Sequence, residues 1–463
     1  MNFWDYGVWG FFNLVTVLLF ALIVANLLKK HLKFLQASLI PTSVLAGLMI
    51  LVVSTIYKAV SKNNMFDVRA FNFAGTTNLE IITFHCLAFG FISMNFSSKK
   101  KKLSGKRARE IFNTGVTTVS SYLLQGILGL GITIIAAGFV TDLISASGML
   151  LPFGYGQGTG QALNFGSLYE NDYAFIGGKN FGLSVAALGF LSASIGGVIH
   201  LNIMKARGKL KIYTKNDSIQ NEETKESKTE NKKFINGGLE DLSIQISTVF
   251  ITYMLAYFLI ALLGNVLPGF KSVLYGFNFL IGVLVASILK FILSFMEKKN
   301  IINEDYINAE QMDKLGSFFF DLMIVAGIAA IQLDLLKDYW PTLLTMGILG
   351  LLVTYIYNRF VAKKLFPEYS ESQFLMMYGM LTGTASTGVI LLREIDKDFA
   401  TPAADNLVYQ NFPAIVFGFP MMLLAALAPV EPVKTLLICI AAFAGMNIIL
   451  FRRQLFLRKK KNA

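Results

Sequence analysis

Apolar residues gather along this chain in long runs, separated by short polar or basic breaks. A helix needs about 20 such residues to cross hydrocarbon. The pattern predicts spans at Val8–Leu28, Ser38–Tyr57, Leu79–Phe96, Ile111–Val140 and Phe181–Met204 in the first half. In the second half it predicts Ile244–Leu263, Ser272–Phe295, Leu315–Leu333, Trp340–Tyr357, Leu407–Leu427 and Val433–Phe451. Two further apolar stretches, about 143–165 and 374–395, are too rich in glycine and hydroxyl residues to count as spans. Each is expected as a re-entrant hairpin that leaves on the side it entered.

Those two stretches carry one motif twice. Without a gap, Ser145 falls on Ser370, Ser147 on Ser372, Leu150 on Leu375, Gly154 on Gly379 and Gly158-Thr159 on Gly383-Thr384. Glycine at membrane depth frees backbone from regular helix, which lipid tolerates only where that backbone lines protein or a cavity. Paired interruptions at corresponding places in two halves mark the binding site of a transporter. Clusters of Ser, Thr and Gly also serve plain helix packing, but duplication in register favours function.

Composition agrees with the pattern. The 463 residues are 54% hydrophobic and 15% charged, against about 25% charged in a soluble domain. The first run follows Asp5 with no lysine or arginine before it and no small-residue cleavage site after it, and is expected as a retained span. The two cysteines, Cys86 and Cys439, lie in apolar runs and suggest neither a disulfide framework nor a metal site. The net charge of +12 sits in short loops between spans, so a membrane explains it and nucleic acid is not required.

Loop charge also orients the chain. With the N-terminus outside and the C-terminus cytoplasmic, the cytoplasmic loops carry Lys29-Lys30-His31-Leu32-Lys33, the cluster from Lys99 to Arg109, the stretch from Lys205 to Glu240, Lys298-Lys299, Arg359 with Lys363-Lys364, and the tail from Arg452. Only the weakly basic 58–69 loop dissents from the positive-inside rule. The expected fold is therefore an all-α polytopic membrane protein of two inverted repeats of five spans, each with a hairpin, plus one extra C-terminal helix. The repeats cover 1–204 and 241–428, a charged cytoplasmic linker covers 205–240, and the extra span with its basic tail covers 429–463. The linker around Asn216–Asn231 has the composition of a flexible segment.

The chemistry follows from the two tips. N-terminal ends of broken helices attract anions, and unwound carbonyls with Ser, Thr, Asn and Asp side chains coordinate sodium. Candidate substrate contacts are Gly154, Tyr155, Gln157, Gly158, Thr159 and Gln161 in the first tip. In the second they are Gly383, Thr384, Ser386 and Thr387, beside Thr382, with Arg393 and Asn406 further on. Candidate sodium ligands are Asn180, Thr384, Asp405 and Asn406. For Asp405 and Asn406 the competing reading is helix capping. Arg393 either clamps a carboxylate or is another cytoplasmic charge beside Asp396. Ionisable residues within spans cost about 2.5–3.5 kcal/mol each on insertion scales, which singles out Asp321 and His85, the former open between function and a salt bridge, the latter expected as a packed polar side chain. Lys290 is expected to snorkel. Gly182, Ala186, Gly189, Ala193 and Gly197 make a small-residue stripe expected to be a packing or sliding face. The glycines at 154–160 are not a nucleotide loop, since no strand precedes them and no Lys-Ser/Thr follows.

Gly156-Gln157-Gly158-Thr159 and Gly383-Thr384-Ala385-Ser386-Thr387-Gly388 resemble the two signatures of the sodium/glutamate symporter family, and the span pattern is similar along essentially the whole chain. The resemblance implies a sodium-driven carrier of L-glutamate or a related anionic amino acid, a homodimer in the plasma membrane, with sodium as coupling ion and no other cofactor. It implies alternating access in which a unit bearing both hairpins moves. Gln157 stands where the family often has histidine. Rival readings are a carrier of another carboxylate such as citrate, a sodium/proton exchanger of the same architecture, or a channel built on the re-entrant loops. A membrane enzyme is disfavoured because His31, His85 and His200 lie on scattered elements.

Overall fold

The computed structural model describes residues 2–97, 105–213, 241–268, 271–299, 306–397 and 399–457. Most of the expected linker (214–240), much of the basic loop after Phe96 (98–104) and the end of the tail (458–463) lie outside the described residues. Among those described the secondary structure is helical, and the one β-bridge joins Tyr213 to Asp396.

The principal helices are α1 (Tyr6–His31), α2 (Thr42–Ser61), α3 (Thr77–Ser97), α4 (Gly105–Ala136), α5 (Leu150–Tyr173), α6 (Gly178–Ala206), α7 (Asp241–Val266), α8 (Asn278–Lys298), α9 (Ala309–Ala329), α10 (Trp340–Leu365), α11 (Ser370–Thr382), α12 (Ala385–Arg393), α13 (Ala403–Tyr409), α14 (Asn411–Leu427) and α15 (Pro432–Leu457). Several end where basic residues meet the negative pole of the helix dipole: Lys29, Lys30 and His31 close α1, and Lys363 and Lys364 close α10.

Among the described residues nine helices are long and apolar enough to cross a membrane: α1, α2, α3, α4, α6, α7, α8, α10 and α15. Their outer faces are apolar and exposed, as with Phe20, Ile23 and Leu27 on α1 and Phe250, Met254 and Tyr257 on α7. The protein is an all-α, multi-pass membrane protein. Two of the expected spans take another form. The span placed at Leu315–Leu333 is α9, whose first turns hold Glu310, Gln311, Asp313 and Lys314, and which stops at Ala329, with Gln332 extended before a 3-10 turn at Leu333–Leu336. The span placed at Leu407–Leu427 is divided into α13 and α14, and Pro413 sits in the first turn of α14, where its missing N–H costs nothing.

The chain forms two compact bodies. The smaller comprises residues 81–102 and 220–323. In it α7 and α8 pack through Ala256, Ile260, Ile281 and Val285. Phe89 of α3 lies among Phe250, Tyr253 and Phe319. His85 is a packed polar side chain, its Nδ1 2.8 Å from the Tyr253 hydroxyl, which also accepts from Asn278 at 3.1 Å. The Lys290 ammonium donates to the carbonyls of Asn95 (2.9 Å) and Phe96 (3.2 Å), orphan acceptors at the end of α3.

The larger body comprises residues 1–80, 103–219 and 324–463 and holds both glycine motifs. In it α4 packs against α10, α14 and α15, and α5 lies along α6. The start of the expected linker is tied down here, since Tyr213 N–H donates to Ile395 O at 2.7 Å.

Candidate functional site

Both motifs fold as helices interrupted at the same motif position. Within α5, Gly158 has φ 74° and ψ −164°, a region that only glycine occupies readily. A short 3-10 turn, Ser145–Met149, leads into α5, and the helix resumes after the break and runs to Tyr173, beyond the expected end near 165. Between α11 and α12 the interruption falls at Gly383 and Thr384, the pair that aligns with Gly158 and Thr159. The chain folds back at each break. The rings of Phe153 and Phe165 stack with centroids 4.1 Å apart, positions that a straight helix would separate by about 18 Å. At the second break, a Cβ on Gly379 would lie 2.8 Å from the Gly388 Cα.

A broken helix presents a carbonyl end and an N–H end at one place, so each break offers partial charges of both signs. At the second, Thr384 caps α12 and its own N–H donates to Thr387 Oγ1 at 3.4 Å.

One helix brings the two breaks together. A Cβ on Gly189 of α6 would sit 2.7 Å from the Thr382 carbonyl oxygen and 3.1 Å from the Tyr155 ring. Along the same stripe Gly182 meets Ala162, Ala186 backbone meets Gly154, and Gly197 meets Leu391. The stripe is a packing face, and what it packs against is the two broken helices.

The predicted site residues divide by what their polar atoms do. Tyr155 is fully buried, donates to Gly347 O at 2.7 Å and lies 2.9 Å from Ser192 Oγ, bracing the first break between α6 and α10. Thr159 is buried against Gly327, and Gln157 is partly buried. Gln161 is fully buried, and neither its amide oxygen nor its amide nitrogen has a partner. Thr382 and Thr387 are buried, Thr384 is partly buried, and Ser386 is exposed.

Asn406 is buried. It donates to Tyr369 Oη and Gln373 Oε1, both at 3.0 Å, and its own oxygen has no partner. Asp405 faces Arg107 at 3.9 Å. Asn180, at the start of α6, accepts the Gln332 N–H at 2.7 Å. Arg393 is exposed and lies over the Phe399 ring, 5.2 Å from its centroid. Asp396 is turned into its own loop, accepting N–H groups of Ala400 and Thr401.

A polar seam that sequence reasoning passed over runs along α4. Thr114 accepts from Gln373 Nε2 at 3.0 Å, and Thr118 donates to Gln410 Oε1 at 2.9 Å. Gln125 donates to Thr354 Oγ1 and to the Leu381 carbonyl, both at 2.9 Å. Leu381 O belongs to the last turn of α11, where carbonyls lack helical partners, so Gln125 pins the carbonyl end of the second break. A carbonyl only accepts, which fixes the orientation of the amide; the Gln125 oxygen then points elsewhere, buried and without a partner. The signal was present as hydroxyl and amide residues every three or four positions from Asn113 to Gln125. A search for charge within spans does not register neutral amides.

A sodium/glutamate symporter family model matches residues 11–397, a stretch that includes both breaks. The chain belongs to the sodium/glutamate symporter family. Within this symporter the match includes every candidate residue except Asp405 and Asn406, which follow it. Curated proteins contain no significant match to the chain. Membership makes the protein a transporter rather than an enzyme, and its family chemistry is sodium-coupled movement of glutamate.

Proposed function

We propose that this symporter imports L-glutamate, or a closely related anionic amino acid, together with sodium, at the plasma membrane. The observation that carries the reading is that two helix breaks at equivalent motif positions, Gly158 and Gly383, meet the same helix at Gly189. N–H ends at the breaks suit substrate carboxylates, and the carbonyl ends suit sodium. The buried, unpartnered oxygens of Gln125, Gln161 and Asn406 are further neutral ligands for a cation, while the Gln161 amide nitrogen is a donor for an anion. Asn180, Thr384 and Asp405 remain in the proposed sodium set, and Gly154, Tyr155, Gln157, Thr159, Ser386, Thr387 and Arg393 in the proposed substrate set. Each motif is read as a re-entrant hairpin, entering from opposite sides of an inverted repeat with the N-terminus outside. Transport is then of elevator type, with the body bearing both breaks as the moving unit, in a homodimer.

The test is uptake of labelled L-glutamate by purified protein in liposomes, with an inward sodium gradient and with potassium in its place. Saturable, sodium-dependent accumulation is expected, and Thr384→Val should lower it at least about tenfold, the loss of one charge-assisted contact, while the protein stays monodisperse. Wild-type uptake in that variant removes the site assignment. A second reading, transport of a different carboxylate, is favoured by Gln157 at the first break. Competition by aspartate and citrate separates the two.

A further inference from the structure

Helix α4 reaches both breaks, and reaches them at equivalent atoms. The Tyr122 hydroxyl donates to the Gly156 carbonyl at 3.0 Å, and Gln125 Nε2 donates to the Leu381 carbonyl at 2.9 Å. Gly156 stands two residues before Gly158, and Leu381 two residues before Gly383, so the ungapped register of the two motifs makes these the same carbonyl. In a continuous helix each would accept the N–H four residues on. The break intervenes in both cases, and α4 supplies a donor in its place. The two donors are three residues apart, neighbours on one face of one helix.

Both side chains are held tightly. A Cβ on Gly156 would lie 2.0 Å from the Tyr122 ring, so the ring rests directly on that glycine. Gln125 is 1% exposed, and its amide also donates to Thr354 Oγ1 on α10 at 2.9 Å. Its Oε1, one amide's width from the second break, is buried with no hydrogen-bond partner. On another side of the same two breaks, α6 packs Gly189 against the Thr382 carbonyl and Tyr155. The carbonyl ends of the two breaks are thus gripped between α4 and α6.

We propose that Tyr122 and Gln125 are positioning residues for the coupling ion: from one helix they hold the carbonyl ends of both breaks at one spacing, and that spacing sets the affinity for sodium. Their effect on sodium rests on the reading of the breaks as its site. A carbonyl oxygen has two lone pairs, so accepting from α4 leaves it able to face a cation. Ligands bind a metal ion tightly when outer hydrogen bonds orient them, and losing one such partner costs about 10–100-fold in affinity. Tyr122 acts through Gly156 alone. Gln125 acts through Leu381 and also brings its own unpartnered oxygen.

The test begins with Tyr122→Phe, which deletes one oxygen and keeps the ring on Gly156. In sodium-driven uptake its half-saturation concentration for sodium should rise about tenfold, while the maximal rate and the glutamate half-saturation at saturating sodium stay at wild-type values. Gln125→Met should raise the sodium value further. The double variant should fall short of the product of the two single effects, because releasing one end already frees the spacing. Tyr357→Phe, which takes a tyrosine hydroxyl from Asn447 Oδ1 on α15, is the control for a merely structural loss and should leave the sodium value unchanged. An unchanged sodium value in Tyr122→Phe, an equal rise in Tyr357→Phe, or a full product in the double variant overturns the proposal.

A second measurement needs no substrate. Sodium that binds the folded protein raises its thermal midpoint by mass action, with potassium as the reference. The sodium concentration needed for a given rise should be about tenfold higher in Tyr122→Phe. A sodium-dependent midpoint without glutamate uptake counts against the glutamate reading alone, and the shift in Tyr122→Phe then decides the role of α4. A wild-type midpoint indifferent to the choice of sodium or potassium removes the sodium site and this proposal with it.

Discussion

Gly158 and Gly383 occupy the same motif position under different backbone constraints. Gly158 has a positive φ in the glycine-only region, whereas Gly383 has φ −144° and a neighbouring threonine hydroxyl as its nearest obstacle. Alanine at 158 should cost about 1–3 kcal/mol of backbone strain, measured as a lower thermal midpoint, and should abolish uptake. Alanine at 383 must displace the Thr387 hydroxyl and press on the Gly379 carbonyl at 3.1 Å, but at a negative φ, so the smaller loss belongs there; equal tolerance at the two sites would refute the asymmetry. The sequence pattern named both glycines, because duplication in register is visible in letters. It could not distinguish them, since the sign of φ is set by how the arms fold back. His200 was read as one of three histidines on scattered elements for a similar reason: Glu371 is distant in sequence and becomes its neighbour only in the folded chain.

At the scale of elements, long apolar runs were easy to place, because hydropathy alone determines where a span lies. Ends and interruptions were harder. The polar start of α9 and the division between α13 and α14 depend on local backbone, and the apolar pattern continues through both. The stripe on α6 was recognised as a packing face, but its partners were not, since small residues announce close approach without saying to what. Gly189 carries the strongest consequence. Any side chain there must displace the Thr382 carbonyl or Tyr155, one at each break. Gly189→Val should therefore lower the apparent affinities for sodium and for substrate together, read as parallel increases in both half-saturation concentrations in the liposome assay. A change in only one of them would show that the breaks act separately.

For the whole molecule, loop charge and hydropathy sufficed for an all-α membrane protein, while the division into two bodies was not legible. The smaller body takes most of α3 from the first half and α7, α8 and most of α9 from the second, and no linear pattern marks which spans will group. Orientation is directly testable. Cys86 and Cys439 are buried, so they should give little background to a membrane-impermeant thiol reagent. In intact cells Asn64→Cys should label and Lys211→Cys should not, the latter reacting only after permeabilisation. The opposite pattern would invert the proposed topology.

The stripe from Gly182 to Gly197 also makes α6 a ruler. It holds the first broken helix at one end and the second at the other, over about 22 Å at roughly 1.5 Å per residue. One residue added between those glycines would rotate everything beyond it by about 100° and swing the second broken helix off its seat. Loops can lengthen or shorten without disturbing the two breaks, but the interval inside α6 cannot. Length variation among symporters that share this arrangement is therefore expected outside that interval, with the 182–197 spacing held constant.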